Sequence, residues 1–279
     1  MPGYEIDEDG LPRSVVGEWA LEKHERLRKY VDITRAIRRK FIVPDSSRKY
    51  VGGAAYIDLF AGPGRARIRE STRVIDGSPV VAARAAATSK GPFGEMHLAD
   101  ADQQLCEASV KRVRNAGGVV TGYAASAEVA AKTVVAKLNS DGLHFAFLDP
   151  YNLEGLTFAT IKQLSMLHRV DILLHLSVAD LQRNLDRYSA ALHSPLDEVA
   201  PGWRTAVNLK QSANSLRVAY VSYWQDKMKE LGFTHRGVEL VTGSRNQRLY
   251  WLVFLSRSEF ANDLWDKIRH ISGQGQLGL

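Results

Sequence analysis

Short apolar segments alternate with longer amphipathic segments through the middle of the chain. The apolar segments, which are rich in β-branched and aromatic residues, predict strands that end near Asp58, Asp100, Tyr123, Asp149 and Ser177. The amphipathic segments between them predict helices at 78–87, 102–116 and 126–139, with Ser78 as the N-cap of the first and Asp102 as the N-cap of the second. Such alternation is typical of a parallel sheet that is covered by helices on both faces.

Two further apolar segments, 234–241 and 248–256, flank the polar run 242–247 and predict an antiparallel hairpin. The predicted fold class is therefore α/β, with a mostly parallel seven-stranded sheet that the C-terminal hairpin closes. This Rossmann-like arrangement resembles that of class I methyltransferases. We expect it to span 51–279, with an insertion around 190–215, and we expect residues 1–50 to form an acidic tail and a basic helix.

The basic helix is predicted at 23–40, where the cations Lys23, Arg26, Arg28, Lys29, Arg35, Arg38, Arg39 and Lys40 accompany an apolar stripe. The stripe has helical spacing and comprises Leu27, Tyr30, Val31, Thr34, Ile37 and Phe41. The pattern predicts a helix that docks on the body and turns its charge outward. That charge is either a solvated face or a contact for phosphates, because basic surfaces supply affinity for nucleic acid without specificity.

Composition limits the classes of protein that the chain can represent. A hydrophobic content of 45% and a charged content of 24% are ordinary for a soluble globular protein. No apolar run approaches the ~20 residues of a membrane-spanning helix, and the acidic N-terminus is no secretory signal. A single cysteine, Cys106, excludes an internal disulfide and a multi-cysteine metal site. We therefore expect a cytoplasmic protein without a bound metal, and the net charge of +6 favours a polyanionic partner.

Candidate binding residues follow the first two strands of the predicted sheet. The first strand runs into Gly62-Pro63-Gly64, and glycines there let the backbone pass close to a ligand. Asp58 at the end of that strand, and Asp100 at the end of the next, could face cationic or hydroxyl groups of the same ligand, since ligands bind beyond the carboxyl ends of such strands. The turn lacks the third glycine of a dinucleotide fingerprint. These features favour a nucleoside ligand, with Asp100 on its ribose hydroxyls.

Two strand-end segments resemble methyltransferase motifs. Residues 58–64, Asp-Leu-Phe-Ala-Gly-Pro-Gly, resemble motif I of class I S-adenosylmethionine (SAM) methyltransferases, written D-L-F-A-G-x-G. Asp149-Pro150-Tyr151-Asn152 resembles the D-P-P-Y motif of methyltransferases that act on exocyclic amino groups, although one proline is missing. The resemblance implies that Asp149 accepts a hydrogen bond from the amine and that Tyr151 stacks on the base. A plain strand-to-loop turn also suits this sequence.

The chain as a whole resembles the three-Cys-motif partner family (TcmP), from about Trp19 to Ile268. The segments that carry the resemblance are Trp19, Lys23-His24, 56–64, 77–79, 147–151, 183–185, 231–233 and 249–254. It implies a SAM-type fold and, as a partner, a separate three-cysteine protein that is often encoded nearby. The chain departs from the family after the third strand, where no acidic residue is present and Ser126 or a backbone carbonyl would hold the adenine, and at Asn152, where the family tends to have glycine.

The predicted function is N-methylation of a nucleobase, nucleotide or nucleic acid with SAM as cofactor. The predicted catalytic residues are Asp149 and Tyr151, and the predicted cofactor-binding residues are Asp58, Phe60, Ala61, Gly62, Pro63, Gly64, Ser78, Asp100, Ala101, Ser126 and Asp149. The predicted substrate-binding residues are Lys23, His24, Arg65, Asn152, Ser177 and Arg183, and the next candidates for the acceptor side are His175, Ser177, Asp180 and Arg183. The alternatives are a non-catalytic partner subunit and a nucleotide-processing enzyme on the same scaffold.

Overall fold

A computed structural model describes residues 3–42, 52–234, 238–242 and 248–269. The strands are β1 (Gly3–Ile6), β2 (Pro12–Val16), β3 (Ala54–Asp58), β4 (Arg65–Ile68), β5 (Val74–Asp76), β6 (Glu95–Asp100), β7 (Val120–Ala124), β8 (Leu143–Leu148), β9 (Arg169–Leu176), β10 (Val238–Thr242) and β11 (Arg248–Leu255). The helices are α1 (Trp19–Ile33), α2 (Arg35–Ile42), α3 (Ser78–Thr88), α4 (Gln103–Asn115), α5 (Ala127–Lys137), α6 (Phe158–Leu164), α7 (Val178–Ala190), α8 (Pro195–Val199), α9 (Trp203–Ala206), α10 (Ala213–Glu230) and α11 (Glu259–Arg269).

The main sheet has seven strands in the order β10-β11-β9-β8-β3-β6-β7. Strands β7, β6, β3, β8 and β9 run parallel to one another, whereas β11 is antiparallel to both β9 and β10. The predicted Rossmann-like α/β fold with a closing antiparallel hairpin is therefore confirmed. The predicted turn of that hairpin, 242–247, falls mostly on residues outside the described part of the chain.

The central strands of the main sheet are largely apolar because helices cover both faces of the sheet. All five residues of the central strand β3 are buried. Ala55 and Ile57 point into one core, which also contains Trp203 of α9, and Tyr56 between them points into the other core with Tyr30 of α1. This two-residue alternation between two apolar faces explains why the strands read as continuous apolar runs. The segment 190–215, predicted as an insertion, contributes α8 and α9, and Leu196, Val199 and Trp203 are buried in the first core.

The N-terminal residues form regular structure instead of a tail. Strands β1 and β2 join β4 and β5 in a small four-stranded sheet. Pairing is possible because the acidic side chains are neutralised by Arg13 of the neighbouring strand β2 and by three arginines that are distant in the sequence. The ion pairs are Glu5 with Arg13 and Arg67, Asp7 with Arg13, Arg65 and Arg112, and Asp9 with Arg65 and Arg112.

The predicted basic helix is two helices, and part of its charge points inward. Helix α1 ends at Thr34, whose hydroxyl donates to the Tyr30 carbonyl oxygen at 2.7 Å, and α2 begins directly after it. The apolar stripe is buried as predicted, apart from the half-buried Ile37. However, Lys23, Arg26 and Arg38 are also buried, so the prediction of an outward charge is wrong for these three cations. Each of them finds a polar partner inside the protein: Asp149 for Lys23, Glu22 for Arg26, and the Gly91 carbonyl for Arg38.

No helix in the described part of the chain is both long and apolar enough to cross a membrane.

Candidate functional site

Three neighbouring strands carry polar side chains to the same edge of the main sheet. Strands β3, β8 and β9 lie side by side and run parallel, with Asp58 aligned to Phe147 and Leu148 aligned to Leu174. Asp149 and His175 therefore follow on adjacent strands, close to the glycine turn that continues β3. This is the carboxyl edge, at which open α/β sheets bind their ligands.

Lys23, Asp149 and His175 form a hydrogen-bonded cluster at this edge. The Lys23 ammonium group donates to Oδ2 of Asp149, and Nδ1 of His175 bonds to Oδ1 of the same carboxylate. The side chains are 7%, 20% and 12% exposed, respectively. The Tyr250 ring lies 4.1 Å from the His175 ring and 5.7 Å from the Lys23 nitrogen, measured to ring centroids. The cluster is thus enclosed on one side by an aromatic ring, and both oxygens of Asp149 are used within it.

Electrostatics set the charges in this cluster. Burial disfavours the ionised form of Asp149, but Lys23 and His175 outweigh that effect and hold its pKa below the ordinary range. Burial lowers the pKa of His175, and Lys23 adds to this effect, while Asp149 opposes it without cancelling it. The cluster at neutral pH is therefore an ammonium–carboxylate pair with a neutral imidazole. Because an ionised carboxylate can only accept, the imidazole carries its proton on Nδ1.

The glycine turn and Asp100 form a second polar group one strand away. The Gly62 amide donates to Oδ2 of Asp100 at 3.1 Å, and the Asp102 amide donates to Oδ1 at 2.9 Å. Gly62 has a φ of +55°, and a Cβ built there would meet only the Ser14 hydroxyl oxygen, at 3.9 Å. The backbone at Gly62 is therefore open to a ligand. Asp100 is half-buried, and burial raises its pKa. An open backbone beside a carboxylate with remaining lone pairs fits a nucleoside with ribose hydroxyls.

Asp58 is enclosed by the fold instead of facing this opening. It accepts hydrogen bonds from the Ser78 hydroxyl at 2.7 Å, the Tyr56 hydroxyl at 3.0 Å and the Phe60 amide at 3.2 Å. Burial raises its pKa to about 7. Gly77, and not Ser78, is the N-cap of α3, so the predicted cap is wrong because the Ser78 side chain bonds to Asp58 instead. Asp58 and Ser78 thus connect the strand that precedes the turn to the helix that follows it. The predicted N-cap Asp102 of α4 is confirmed.

The remaining predicted site residues are distributed around the edge. Tyr151 is 66% exposed, whereas His24 is largely enclosed and burial lowers its pKa to about 4. The side chains of Ser126, Asn152 and Ser177 accept hydrogen bonds from the backbone at the starts of three helical segments. Arg65 pairs with Asp7 at 3.0 Å, and Arg183 lies on α7 with its side chain exposed. Of the predicted substrate-binding residues, only Lys23 bonds to the predicted catalytic Asp149.

Two residues at this edge are absent from the predicted site. The sequence places His175 only among the next candidates, although its position at the end of the fifth strand indicates that it lies at this edge. No sequence pattern predicts that Tyr4 lies here, because its position depends on the N-terminal hairpin. It pairs with Ser14, the residue that lies over Gly62, and it is 45% exposed. Burial, Asp100 and Asp102 raise the pKa of Tyr4 to about 12. The hairpin therefore forms a wall beside the glycine turn.

Comparisons with known proteins add no family assignment. No protein-family model matches the chain, and no curated protein matches it. Among solved structures, the chain is similar to an O-methyltransferase from Bacillus cereus in complex with SAH, with 12% identity over 84% of this chain and 80% of the other, at a TM-score of 0.48. It is also similar to M. jannaschii TYW2 in complex with AdoMet, with 9% identity over 92% and 87%, at a TM-score of 0.42. At these scores the similarity carries no argument, and the fold rests on the strand order. The TcmP resemblance stays a prediction.

Proposed function

We propose that the chain is a SAM-dependent methyltransferase whose reaction centre is the carboxyl edge of the main sheet. The observation that carries this proposal is the proximity of two polar groups on neighbouring strands. One group is the open glycine turn with Asp100, and the other is the cluster of Lys23, Asp149 and His175. The first group can bind a nucleoside. The second can accept a proton and stabilise charge. Methyl transfer from a nucleoside donor uses both of these properties.

Within this proposal, Asp100 accepts the ribose hydroxyls and the Gly62 backbone lies against the cofactor. Asp58 holds the turn in place through its bonds to Ser78, Tyr56 and the Phe60 amide. When bound, the sulfonium group of SAM supplies an activated methyl group. The protein then needs to align the acceptor with it and to exclude water, since orientation accounts for a large share of such catalysis.

The proposed acceptor is a nucleobase nitrogen, in a free nucleotide or in nucleic acid. The exposed Tyr151 ring, which follows the strand that ends next to Asp149, offers a stacking surface that is typically worth about 1–3 kcal/mol per base. The cationic side chains Arg28, Arg35, Arg39 and Lys40 lie on the solvent side of α1 and α2. Arg35 lies against Gly91 at the opposite edge of the sheet, so these cations attract the phosphates of an extended polyanion away from the reaction centre and do not contact the acceptor base. In this proposal Asp149 positions Lys23 and His175, each of which bonds to one of its oxygens, whereas the motif implies that Asp149 accepts from the amine.

Calorimetry with SAM and with SAH tests the cofactor assignment. Both ligands should bind to the wild-type protein, and Asp100→Ala should weaken binding by about 1–3 kcal/mol because it removes a charged acceptor. Asp102→Ala is the matched control, since it removes a neighbouring carboxylate whose oxygen caps α4 instead. Absence of binding to either ligand at millimolar concentration would remove the cofactor from the account.

Transfer of an isotope-labelled methyl group from SAM to an RNA transcript or to nucleotides tests the acceptor assignment. For a polyanionic acceptor, the apparent affinity should fall steeply as salt is added. An affinity that does not respond to salt would assign the exposed cations to an ordinary solvated face. The three-cysteine protein that the TcmP resemblance implies is a proposed partner, and its co-purification with this chain is the corresponding test.

A further inference from the structure

We propose that Nε2 of His175 is the general base that takes the proton from the methyl acceptor. The acceptor accordingly carries its proton on the nucleophilic atom, as in the ring N–H of a lactam or in a hydroxyl group. The inference rests on the proposed function, because it assumes a methyl acceptor at the carboxyl edge. It differs from the motif-based interpretation, in which Asp149 itself holds an exocyclic amine.

The orientation of His175 is fixed by its neighbours. Nδ1 bonds to Oδ1 of Asp149, and the ring packs against Tyr250 with 4.1 Å between the centroids. Since Asp149 is ionised, Nδ1 is the donor and the lone pair of the imidazole lies on Nε2. This carboxylate–imidazole arrangement is the one by which a buried aspartate selects the tautomer of a histidine base.

Nε2 of His175 is free to meet another molecule. Within the described residues it has no hydrogen-bond partner, and the buried polar atoms that lack a partner there do not include it. An atom that is neither bonded nor enclosed keeps contact with solvent. Part of the 12% exposure of the His175 side chain is thus at Nε2, the atom that carries the lone pair.

The surrounding groups keep the imidazole in the basic form at neutral pH. Burial lowers the pKa of His175, and Lys23 lowers it further while it neutralises Asp149. The other titratable groups around the cluster are His24 on α1, Tyr250 on β11, and Asp58 at the end of β3. Burial keeps His24 neutral, and Asp58 is close enough to Asp149 that the two carboxyl groups affect each other's ionisation. A neutral imidazole with an exposed lone pair can accept a proton without first losing one.

The bare lone pair on Nε2 of His175 defines the class of methyl acceptor. Lys23 and Nδ1 of His175 each bond to one oxygen of Asp149, and Nε2 is the basic atom that the cluster presents without a partner among the described residues. An exocyclic amine attacks with an existing lone pair, and it becomes strongly acidic only after methylation, so it has little use for a base. A lactam N–H or a hydroxyl becomes a strong nucleophile by losing a proton. A base at hydrogen-bond distance is then part of the transition state.

The proton transfer is balanced within the residues named. The lone pair of Nε2 forms a bond to the proton, the bond between that proton and the acceptor atom breaks, and its electron pair stays on the acceptor as the nucleophile. His175 becomes an imidazolium, which the adjacent Asp149 stabilises, and it later releases the proton to water. The base is thereby returned to its starting form.

The tautomer of His175 can be measured directly by nitrogen-15 NMR on the free protein at neutral pH. We expect the signals of a neutral ring with the proton on Nδ1 and a bare Nε2. A proton on Nε2, or a fully protonated ring at neutral pH, would overturn the proposal without any activity assay. His168, which is 66% exposed and whose Nδ1 bonds to Asp141 at 3.0 Å, provides an internal reference for the same carboxylate contact on an exposed ring.

The matched variant is His175→Asn. Its side-chain amide can still donate to Asp149, as Nδ1 does, but it has no atom in place of Nε2. We expect an unchanged dissociation constant for SAH and a decrease of about 10²–10⁴-fold in turnover. Turnover that equals that of the wild type would overturn the proposal, because the base would be dispensable.

A panel of acceptors separates the possible sources of the proton. The first group is uridine and guanosine monophosphates, which carry a lactam N–H, and the second is phenol, which carries a hydroxyl. The third group is adenosine and cytidine monophosphates, whose only N–H donors on the base are exocyclic amines. An RNA transcript presents all four bases. Methylation of either of the first two groups, or of uracil or guanine in the transcript, supports the proposal. Methylation confined to the amines, or of no member of the panel, overturns the acceptor class. Failure of the wild-type protein to bind SAH would instead refute the proposed function. The NMR experiment tests the tautomer of His175 and does not depend on SAH binding.

Discussion

Two charged clusters lie on either side of the glycine turn, and they differ in whether their polar atoms are all used. In the N-terminal network, Arg112 donates to both carboxylate oxygens of Asp9, at 2.9 and 2.7 Å, and to the carbonyl oxygens of Pro12 and Pro63, at 2.7 and 2.8 Å. In the second cluster, Lys23 and His175 bond to the two oxygens of Asp149, but Nε2 of His175 has no partner among the described residues. One cluster is closed and the other is open.

The difference separates a structural role from a chemical one. Arg112 connects the N-terminal segment to the glycine turn and to α4. Its N–H groups are occupied by oxygen atoms of the protein, so none is left to bind a ligand. Ion pairs of this kind are retained for the geometry they fix, since buried pairs give little net stability over apolar packing. In the other cluster, three polar side chains, Lys23, Asp149 and His175, position a single lone pair. That exposed lone pair makes this cluster reactive, whereas the N-terminal network only holds the fold together.

Replacement of Asp149 should have the largest effect on the open cluster. Asp149→Ala removes the partner of both Lys23 and His175 and leaves a buried ammonium unpaired. We expect methyl transfer to be abolished and the free energy of unfolding to fall by about 3–5 kcal/mol. Denaturant titration and a turnover assay measure the two effects. A fully stable variant would show that the Lys23 charge is compensated elsewhere, and retained turnover would remove Asp149 from the reaction.

Arg112→Met makes the corresponding change in the closed cluster. It leaves the carbonyl oxygens of Pro12 and Pro63 without this donor and removes the nearer cation from Asp9, which is 34% exposed and keeps Arg65 at 3.8 Å, so we expect a loss of stability of about 1–3 kcal/mol. The titration of His175, followed by NMR, should not move, because Arg112 has no contact with that cluster. If the His175 titration shifts as it does in an Asp149 variant, the two clusters are not independent and the comparison fails.

Lys23→Met should have the smallest effect, since it adjusts the open cluster without dismantling it. Lys23 lowers the pKa of His175, so its removal should raise that pKa. The base is active when neutral, and the wild-type rate should fall as the pH drops through a pKa below the ordinary histidine value. In the variant this acidic decline should begin at higher pH. The pH dependence of kcat/KM measures the shift of this acidic decline. A decline at the same pH as in the wild type, or at lower pH, would contradict the conclusion that Lys23 lowers the pKa of His175.

The main sheet was predictable because each strand carries its own signal. The apolar segments of β3, β6, β8 and β9, and the glycine turn after β3, can be recognised within a few residues of sequence. The N-terminal hairpin and the inward-facing Lys23 were not predictable, because each depends on a partner far along the chain. Asp9 meets Arg112, and Lys23 meets Asp149, only after the fold has formed. For the same reason the sequence predicts Asp149 as catalytic and places His175, which bonds to it, only among the next candidates.

The most direct test of the central claim is the map of amide chemical shifts on titration with SAH. If the cofactor binds at the carboxyl edge, the amide signals of Gly62, Ala101 and Tyr4 should move together as the ligand saturates. Those of Gly91 and Gly94, which precede β6 at the opposite edge of the sheet, should stay in place. Shifts confined to the opposite edge, or no shifts at all, would contradict the account.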